Sequence, residues 1–600
     1  MSTKRSSTWK FVLVPTLTVL FLAIYPQLNI WSVQGTEWHG AYVVSNYDEV
    51  AYSAYVNSLI DGKSRRNDPF IGKADLPYES LYSIQMIPAY SIAVPARVLG
   101  FSASTAFIIL NFLIPIFSCL TIFAFVWAVT KDAMLSSVGV VAVLCLGTAV
   151  AFQGELQHII RGNYLCDFFP FLRRYQPGFA FPLFFLFCLF IWRSFTAEEN
   201  KRGLIFAVLS GLAIIALVFS YFFLWTTAIA WLGVLAFLWF VFKKEDRSKI
   251  LVRAGIVGFM AISAIVPYFL MLTNRNLNTD DIQLLNYTRA PNLLVLPVVL
   301  GFLIIAGILY FLRNGRMTSN SPAVLLTASL ALTPVVLFNQ QIVSGRSLQP
   351  VHYEIFIANY LLLIAIVFFA HLIRKSSNSE RVTLNFRRGL IYFGIAAAFW
   401  GLIESSATAK RNAGFEKLRD DAIPALSYLR DKAVPRAQNG DAPTIMTTNL
   451  MVADYIPTVT PYRPLWNPHT NSAGGVNHAE NLELFYKYLY YSGYDEKDLA
   501  QAINENLFEV MAALFGGGRA LPTLTGEAKP VTRSEIETEI NKYRNYRNNF
   551  DQAKAGMPEL SHIVVPSKAE PDFANLDRWY ERDTGVEAGL FKVYNLKLRP

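Results

Sequence analysis

The stretch GLIFAVLSGLAIIALVFSYFFLWTTAIAWLGVLAFLWFVF, residues 203–242, decides the fold of this 600-residue chain. It contains no Asp, Glu, Lys, Arg or His. A helix of about 20 apolar residues crosses a hydrocarbon core of about 30 Å, and this stretch is long enough for two. Ser220 and Tyr221 near its middle predict a tight turn. The stretch therefore predicts two consecutive membrane-spanning helices.

Similar apolar runs recur along the chain and predict a polytopic α-helical membrane protein. Only 16% of the residues are charged, whereas a soluble protein carries about a quarter. Residues 81–100 contain Pro88, Pro95 and Arg97, and we interpret them as an interfacial or re-entrant helix rather than a span. The eleven predicted spans are 11–29, 105–129, 134–152, 178–195, 203–219, 222–242, 252–272, 292–312, 321–338, 355–373 and 389–406.

Lys and Arg predict the orientation of these spans, because basic residues favour the cytoplasmic loops. With the N-terminus inside, cytoplasmic segments such as 243–253 and 374–388 hold most of the basic residues of the short loops. The net charge of +9 therefore reflects topology rather than nucleic-acid binding. A bacterial inner membrane is the expected setting, with the long first loop (about 30–104) and the C-terminal tail in the periplasm or outside the cell.

The tail, residues 408–600, is predicted to be a soluble α/β domain, separate from a membrane domain at 1–407. The segments APTIMTTN, ELSHIVVP and GLFKVYNLKL have strand character, and helical patterns near 478–510 and 532–553 lie between them. Residues 461–478, rich in turn formers and aromatics, predict a long loop. No phosphate-binding glycine motif occurs, so nothing indicates a nucleotide.

Two adjacent acids follow the first span, in SNYDEVAYSAYVNSL at residues 45–59. Asp48 and Glu49 have the spacing of capping boxes with Ser45 and Asn46, so they could simply begin a helix. The alternative is functional. Asp48, Tyr52 and Tyr55 would share one helix face, and a carboxylate beside tyrosine rings suits sugar binding.

Basic residues mark two other outside loops. Arg173 and Arg174 come just before a predicted span, where they could anchor the chain at the headgroups or bind a phosphate. Arg161, one helical turn after His158, could assist. Arg346, in the loop 339–354, lies between Gly345 and Ser347 and could form an anion nest.

His352 and Glu354 follow Arg346 at the predicted membrane edge. We interpret His352 as a further candidate for the phosphate site. A divalent metal is left open, since no ligand-spacing motif supports one. The loop 339–354 could also be an ordinary hydrogen-bonded connector.

The predicted spans carry almost no charged residue near their centres. Ion-coupled transporters usually need such groups at depth, so the pattern argues against a proton-driven pump. It does not exclude a lipid flippase.

The acid pair in a long first outside loop, the cytoplasmic N-terminus, about eleven spans and an outside α/β tail resemble the GT-C superfamily of integral-membrane glycosyltransferases. That superfamily includes protein O-mannosyltransferases and aminoarabinose transferases. The resemblance covers the whole architecture and identifies no family within it.

The resemblance implies an inverting transfer from a polyprenyl-phosphate sugar donor, reached from the outer leaflet, to a glycan, glycolipid or protein. Asp48 matches the general base, and Glu49 would orient the acceptor or hold a metal. Tyr52 and Tyr55 would contact sugar or acceptor. The residues assigned to the donor phosphate are Arg346, Arg173, Arg174, Arg161 and His352. Two rival functions are a transporter of lipid-linked saccharides and a non-catalytic scaffold with a sugar-binding tail.

Overall fold

The structure is a computed structural model that describes residues 5–162, 169, 171–276, 279–376, 380–432, 441–472, 476–520 and 530–600. The chain divides into two compact units. The first unit comprises Met1–Asn29, Ile108–Leu270 and Tyr287–Arg411. The second unit comprises Ile30–Phe107, Met271–Asn286 and Asn412–Pro600.

Helices account for most of the described residues. In chain order they are α1 Arg5–Gln34, α2 Asp48–Ile60, α3 Leu81–Ile84, α4 Met86–Leu99, α5 Ala103–Thr130, α6 Ala133–Val150, α7 Glu155–Arg161, α8 Ala180–Thr196, α9 Asn200–Val218, α10 Phe222–Phe242, α11 Arg247–Thr273, α12 Thr279–Ile282, α13 Leu296–Arg313, α14 Pro322–Leu337, α15 Gln341–Ser344, α16 Pro350–Tyr353, α17 Asn359–Lys375, α18 Glu380–Asp431, α19 Leu450–Val459, α20 Pro468–Ser472, α21 His478–Tyr491, α22 Glu496–Asn504, α23 Phe508–Phe515 and α24 Gly517–Ala520, followed by Arg533–Asn548, Gln552–Gly556 and Ala574–Asp577.

Ten helical segments among the described residues are long and apolar enough to cross a membrane. The remaining predicted span, 178–195, corresponds to α8, an apolar helix of 17 residues that packs against α9. The predicted turn in the opening stretch is confirmed, since α9 ends at Val218 and α10 begins at Phe222. The chain is therefore an integral multi-pass membrane protein. The ten segments are Trp9–Glu37, Ala103–Thr130, Ala133–Arg161, Asn200–Val218, Phe222–Phe242, Lys244–Thr273, Leu296–Arg313, Pro322–Ser344, Pro350–Lys375 and Thr383–Asp431.

Small residues allow the helices of the first unit to approach closely, as is common between helices in lipid. A Cβ atom added at Gly301 in α13 would lie 2.2 Å from the carbonyl oxygen of Ala331 in α14. A Cβ atom added at Gly147 in α6 would lie 2.5 Å from the Tyr360 ring in α17. These two contacts need glycine because no side chain fits between the helices.

The second unit contains a mixed sheet in the order β4-β3-β5-β8-β6, with β7 also paired to β8. β3 pairs in parallel with β4 and β5, whereas β8 pairs antiparallel with β5, β6 and β7. The three strands predicted from the sequence are β3, β5 and β8, so the α/β tail is confirmed. The strands are β1 Leu285–Asn286, β2 Ser347–Leu348, β3 Thr444–Thr447, β4 Arg463–Pro464, β5 Leu560–Pro566, β6 Tyr580–Arg582, β7 Val586–Ala588 and β8 Phe591–Leu598.

Residues 81–100 form α3 and α4, and α4 is only 14 residues long. Such a helix extends for about 21 Å, too short for a hydrocarbon core of about 30 Å. One face of α4 packs on α2, while Val98 and Leu99 on the other side are 79% and 62% exposed. The segment is therefore not a helix of spanning length, as predicted. Its placement at the membrane surface stays a prediction.

The last predicted span is part of a longer helix. α18 runs for 52 residues without interruption, from Glu380 to Asp431. The predicted domain boundary at 407 and 408 lies inside this helix, close to the unit boundary at Arg411 and Asn412. The units differ from the predicted domains in two further respects, because both the long first loop and Met271–Asn286 belong with the tail rather than with the spans.

The predicted loop at 461–478 is a packed part of the second unit. It contains β4 and α20, and Trp466, Asn467 and His469 are buried. Residues 473–475 lie outside the described residues. The turn-forming residues of this segment therefore belong to a compact, packed connection rather than to an open loop.

Candidate functional site

The two acids at the start of α2 have opposite environments. Asp48 is exposed, whereas Glu49 is fully buried. Neither predicted capping box forms, because the residue that caps α2 is Tyr47. Instead, the Asn46 side chain accepts the backbone N–H of Asp48 at 3.1 Å, and the Glu49 carboxylate accepts that of Ser45 at 3.3 Å. Glu49 therefore supports the backbone of the turn from which Asp48 faces solvent.

The segment before α2 is held by acidic side chains near the end of α18. Asp420 accepts the backbone N–H groups of His39 and Ala41, each at 2.8 Å. Glu416 accepts the backbone N–H of Val44 at 2.6 Å. Buried backbone N–H groups need partners, and these carboxylates supply them to a segment that has no assigned helix or strand.

Arg419 balances the charge of these acids within the same cluster. Its guanidinium donates to Glu416 at 2.8 Å and to the carbonyl of Tyr42 at 3.2 Å. It also lies over the rings of Tyr42 and Tyr455, 4.8 and 4.2 Å from their centres, where cation–π attraction operates. The Tyr42 hydroxyl in turn lies 3.1 Å from the carbonyl oxygen of Glu49. The cluster thus links α18 to the first turn of α2.

A buried histidine lies next to the same turn. The Nδ1 atom of His469 is 2.7 Å from both carboxylate oxygens of Asp454, and its ring stacks on Tyr47 at 4.7 Å. Asn467 donates to Asp454 at 2.7 Å, and Phe70 lies 5.5 Å from the histidine ring. Residues from α2, the first loop, α19 and α20 therefore meet beside Asp48.

The charges of this group set the pKa of His469. Burial by itself would lower the pKa, but the charge and hydrogen bond of Asp454, together with the charge of Asp48, raise it above its ordinary value. Burial, reinforced by the charge of Asp454, also raises the pKa of Tyr47, which stays protonated. The group accordingly favours an imidazolium beside two carboxylates.

The tyrosines predicted to share a face with Asp48 lie beneath another aromatic side chain. The partly exposed ring of Tyr82 contacts Tyr52 edge-on at 5.9 Å and stacks on Tyr55 at 5.5 Å. Tyr55 is fully buried, and its hydroxyl donates to the carbonyl of Arg65 at 2.6 Å. Tyr82, which the sequence did not single out, therefore offers a more accessible ring than either predicted tyrosine.

In the first unit, two predicted phosphate-binding residues meet at one ring. The guanidinium of Arg173 lies 5.0 Å from the centre of Phe356, and the His352 ring lies 5.0 Å from the same centre. Arg173 is buried, so it is not the exposed interfacial anchor that the alternative interpretation required. Arg174 is buried as well and donates to Asn111 at 2.9 Å.

The other two predicted basic residues are exposed. Arg161 ends the short helix α7, which is anchored because Glu404 accepts the backbone N–H of Glu155 at 3.2 Å. Arg346 lies 5.7 Å from the ring centre of Tyr287. Residues 163–168 and 170 of the Arg161 loop lie outside the described residues.

The turn that carries Arg346 is well ordered by local contacts. Gly345 adopts a φ of +71°, which favours glycine, and Gln340 donates to the carbonyl of Arg346 at 2.9 Å. Arg289 donates to the carbonyls of Ile342 and Val343 at 2.8 and 3.1 Å. The guanidinium of Arg346 is thus presented to solvent from a fixed turn.

The part of the chain that the structure describes shows no cluster of metal-ligating side chains. Nowhere in it are three His, Cys, Asp or Glu side chains grouped so that they could hold an ion. Both oxygens of Asp454 face His469, and Asp68 accepts the backbone N–H groups of Phe70 and Ile71.

Sequence reasoning missed His469, Asp454 and Arg419. Asp454 and Arg419 lie in helical segments that show no motif. His469 lies in the segment 461–478, for which the sequence predicts a loop. The only local signal was the density of aromatic and polar residues around His469. The contacts that bring them to α2 join residues far apart in the chain.

No protein-family model matches the chain, and no curated protein matches it in sequence. Among solved structures, the chain is similar to a crystal structure of the Archaeoglobus fulgidus oligosaccharyltransferase in complex with Zn and sulfate. Identity is 13%, the TM-score is 0.48, and the match covers 98% of this chain and 88% of that one.

The chain is also similar to the crystal structure of ArnT from Cupriavidus metallidurans in the apo state. Identity is 12%, the TM-score is 0.44, and the match covers 96% of this chain and 97% of that one.

Proposed function

We propose that this protein is a membrane glycosyltransferase that moves a sugar from a polyprenyl-phosphate donor to an acceptor hydroxyl at the outer face of the membrane. The observation that carries the proposal is the placement of Asp48. Its carboxylate is exposed at the start of a helix whose other residues are mostly buried. Glu416, Arg419 and Asp420 of α18 (the α18 cluster) hold the segment before α2. The Asp48 carboxylate is therefore presented from a fixed backbone, as a general base requires.

Asp48 accepts the proton of the acceptor hydroxyl as that oxygen bonds to the anomeric carbon of the donor. The bond between that carbon and the phosphate oxygen breaks, and the lipid phosphate leaves with the electron pair. Attack from the face opposite the leaving group inverts the anomeric centre. Glu49 contributes by holding the turn through its contact with Ser45.

The leaving phosphate needs positive charge, which the basic residues of the first unit supply in this proposal. Arg346 is exposed on an ordered turn, and guanidinium geometry suits phosphate oxygens. Arg173 and His352 share the Phe356 ring, and Arg174 and Arg161 complete the set. Donors aimed at charge that develops in the transition state stabilise it more than the ground state.

The acceptor contacts are assigned to the tyrosines beside Asp48. Tyr82 is partly exposed above Tyr52 and Tyr55, and an aromatic face beside a carboxylate suits a sugar ring or a similar polyol. Tyr52 and Tyr55 then act mainly as the support beneath Tyr82. The acceptor class remains a glycan, a glycolipid or a protein.

The decisive experiment compares purified Asp48→Asn and Glu49→Gln proteins with wild type. Membrane lipid extract serves as donor, and mass spectrometry detects the glycosylated product. Asp75→Asn is the matched control, since Asp75 is an exposed acid of the same loop whose partners are Ser64 and Arg66. We expect Asp48→Asn to reduce the rate at least about 100-fold, the contribution of a general base, while Asp75→Asn retains activity.

Glu49→Gln is expected to lower the thermal stability in detergent more than Asp48→Asn does, because Glu49 is buried. Full activity of a folded Asp48→Asn protein would remove the catalytic assignment. In that case, movement of lipid-linked saccharide across vesicles would favour the transporter, and its absence would favour the scaffold.

A further inference from the structure

Beside Asp48 lies a buried pair of ionisable side chains, His469 and Asp454, that the mechanism above does not use. His469 is 4% exposed and Asp454 1% exposed, and they belong to different elements, α20 and α19. Burying such a pair costs desolvation, and the geometry must be good to offset it. Both carboxylate oxygens lie at 2.7 Å from Nδ1, and Asn467 also donates to the carboxylate.

We propose that His469 is a positioning residue for glycosyl transfer, whose imidazolium, fixed by Asp454 and stacked on Tyr47, holds the turn that presents Asp48. This inference rests on the proposed function. Tyr47 is the residue that caps α2 and directly precedes Asp48, so the stack at 4.7 Å acts on the backbone of that turn. The Asp454 hydrogen bond fixes the ring plane on which Tyr47 rests.

The charge of the histidine matters as well as its shape. Asp454 from α19 and Asp48 from α2 are the charged groups that raise its pKa, and Glu509 of α23, a helix that also packs on α20, acts on the stacked Tyr47. The two carboxylates outweigh burial and raise the pKa of His469. An imidazolium therefore attracts Asp48 toward the stacked ring, and the neutral ring formed at high pH does not.

The alternative interpretation is that His469 is a buried histidine whose only role is packing in the core. It predicts that any variant that folds is fully active, with an unchanged pH profile. The variants that separate the two are His469→Asn, which keeps a donor near the Nδ1 position but loses ring and charge, and Asp454→Asn, which keeps the ring but removes its counter-charge. His562→Asn is the matched control, since His562 is a buried histidine of the same unit on β5.

The first measurement is steady-state transfer by the full-length protein in detergent or vesicles. We expect His469→Asn to lower kcat about 100-fold, the effect of a misplacement near 1 Å, with the donor KM unchanged. We expect the high-pH loss of activity to move to lower pH in Asp454→Asn, because the histidine then loses its proton earlier. Wild-type kcat and pH profile in folded His469→Asn and Asp454→Asn proteins would overturn the proposal.

The second measurement does not depend on activity. A histidine with a raised pKa contributes stability that is fully present below its unfolded pKa of about 6.5 and is lost as pH rises through the folded pKa. The difference in Tm between wild type and His469→Asn should therefore shrink as pH rises. In an Asp48→Asn background the same loss should occur at lower pH, since Asp48 helps to raise that pKa.

These two measurements separate the failure of this inference from the failure of the proposed function. If Asp48→Asn is fully active, the glycosyltransferase assignment fails, whatever His469 does. If the Tm difference is independent of pH, or unaffected by Asp48→Asn, the charge coupling between His469 and Asp48 is wrong even if Asp48 is the base.

Discussion

At the scale of single residues, neighbours in the chain can have unrelated roles. Asp48 and Glu49 are adjacent, yet only Asp48 reaches solvent. The helix rotates by about 100° per residue, so adjacent side chains point in different directions. The predicted capping boxes are therefore wrong for this pair, Glu49 supports the turn through Ser45, and the catalytic role of Asp48 stays a prediction.

Arg346 offers a residue-scale prediction about the donor. Arg346→Gln should lower kcat/KM for the lipid-linked sugar about 100-fold, because it removes one cation from the charge that stabilises the leaving phosphate. Arg346→Lys should recover part of the loss, since it restores the charge without the planar fork. Steady-state kinetics with purified donor lipid measures both.

Arg316→Gln is the matched control, since Arg316 is also an exposed arginine and follows the span α13. It should have wild-type kinetics. Equal losses in the Arg346 and Arg316 variants would indicate a general effect of charge on lipid access rather than a phosphate site.

At the scale of elements, α18 does more than cross the membrane. Its residues Glu416, Arg419 and Asp420 hold the segment before α2 through four charged contacts with the backbone. These contacts explain how a segment with no assigned helix or strand stays in place within the second unit.

Arg419 provides the element-scale prediction. Arg419→Ala should lower the free energy of unfolding of the second unit by about 3 kcal/mol, because the carboxylate of Glu416 loses its buried partner. Chemical denaturation in detergent, followed by tryptophan fluorescence, measures the change. Lys417→Ala, which removes an exposed pair with Asp421, should change it by less than about 1 kcal/mol.

A double variant tests whether the pair acts as a unit. Arg419→Met with Glu416→Gln removes both charges and should be less destabilised than Arg419→Ala alone. If Arg419→Ala, the double variant and Lys417→Ala are equally stable, the contacts of Glu416 and Arg419 do not hold the segment before α2.

At the scale of the whole molecule, the orientation of the chain is the prediction that the function depends on most. In a Cys166→Ser background, Ser534→Cys in the tail should react with a membrane-impermeant maleimide in intact cells, and Ser248→Cys should not. Both serines are exposed, and Cys119, Cys145 and Cys188 are buried. Labelling of Ser248→Cys, but not of Ser534→Cys, would show that the orientation is opposite to the predicted one and that Asp48 lies on the cytoplasmic side.

The sequence by itself determined where the spans and the main strands lie, because apolar length and residue alternation are local properties of the chain. It also singled out Asp48, since an acid just past a span is conspicuous. Only the tertiary structure showed that Glu49 is buried and that His469 pairs with Asp454 beside Tyr47. Only the structure showed, too, that α18 is one continuous helix whose charged side chains bind the backbone of residues 39–44. Those facts depend on contacts between residues up to 381 positions apart. Local pattern carries no information about such pairs, since burial of a polar group depends on which distant element supplies its partner.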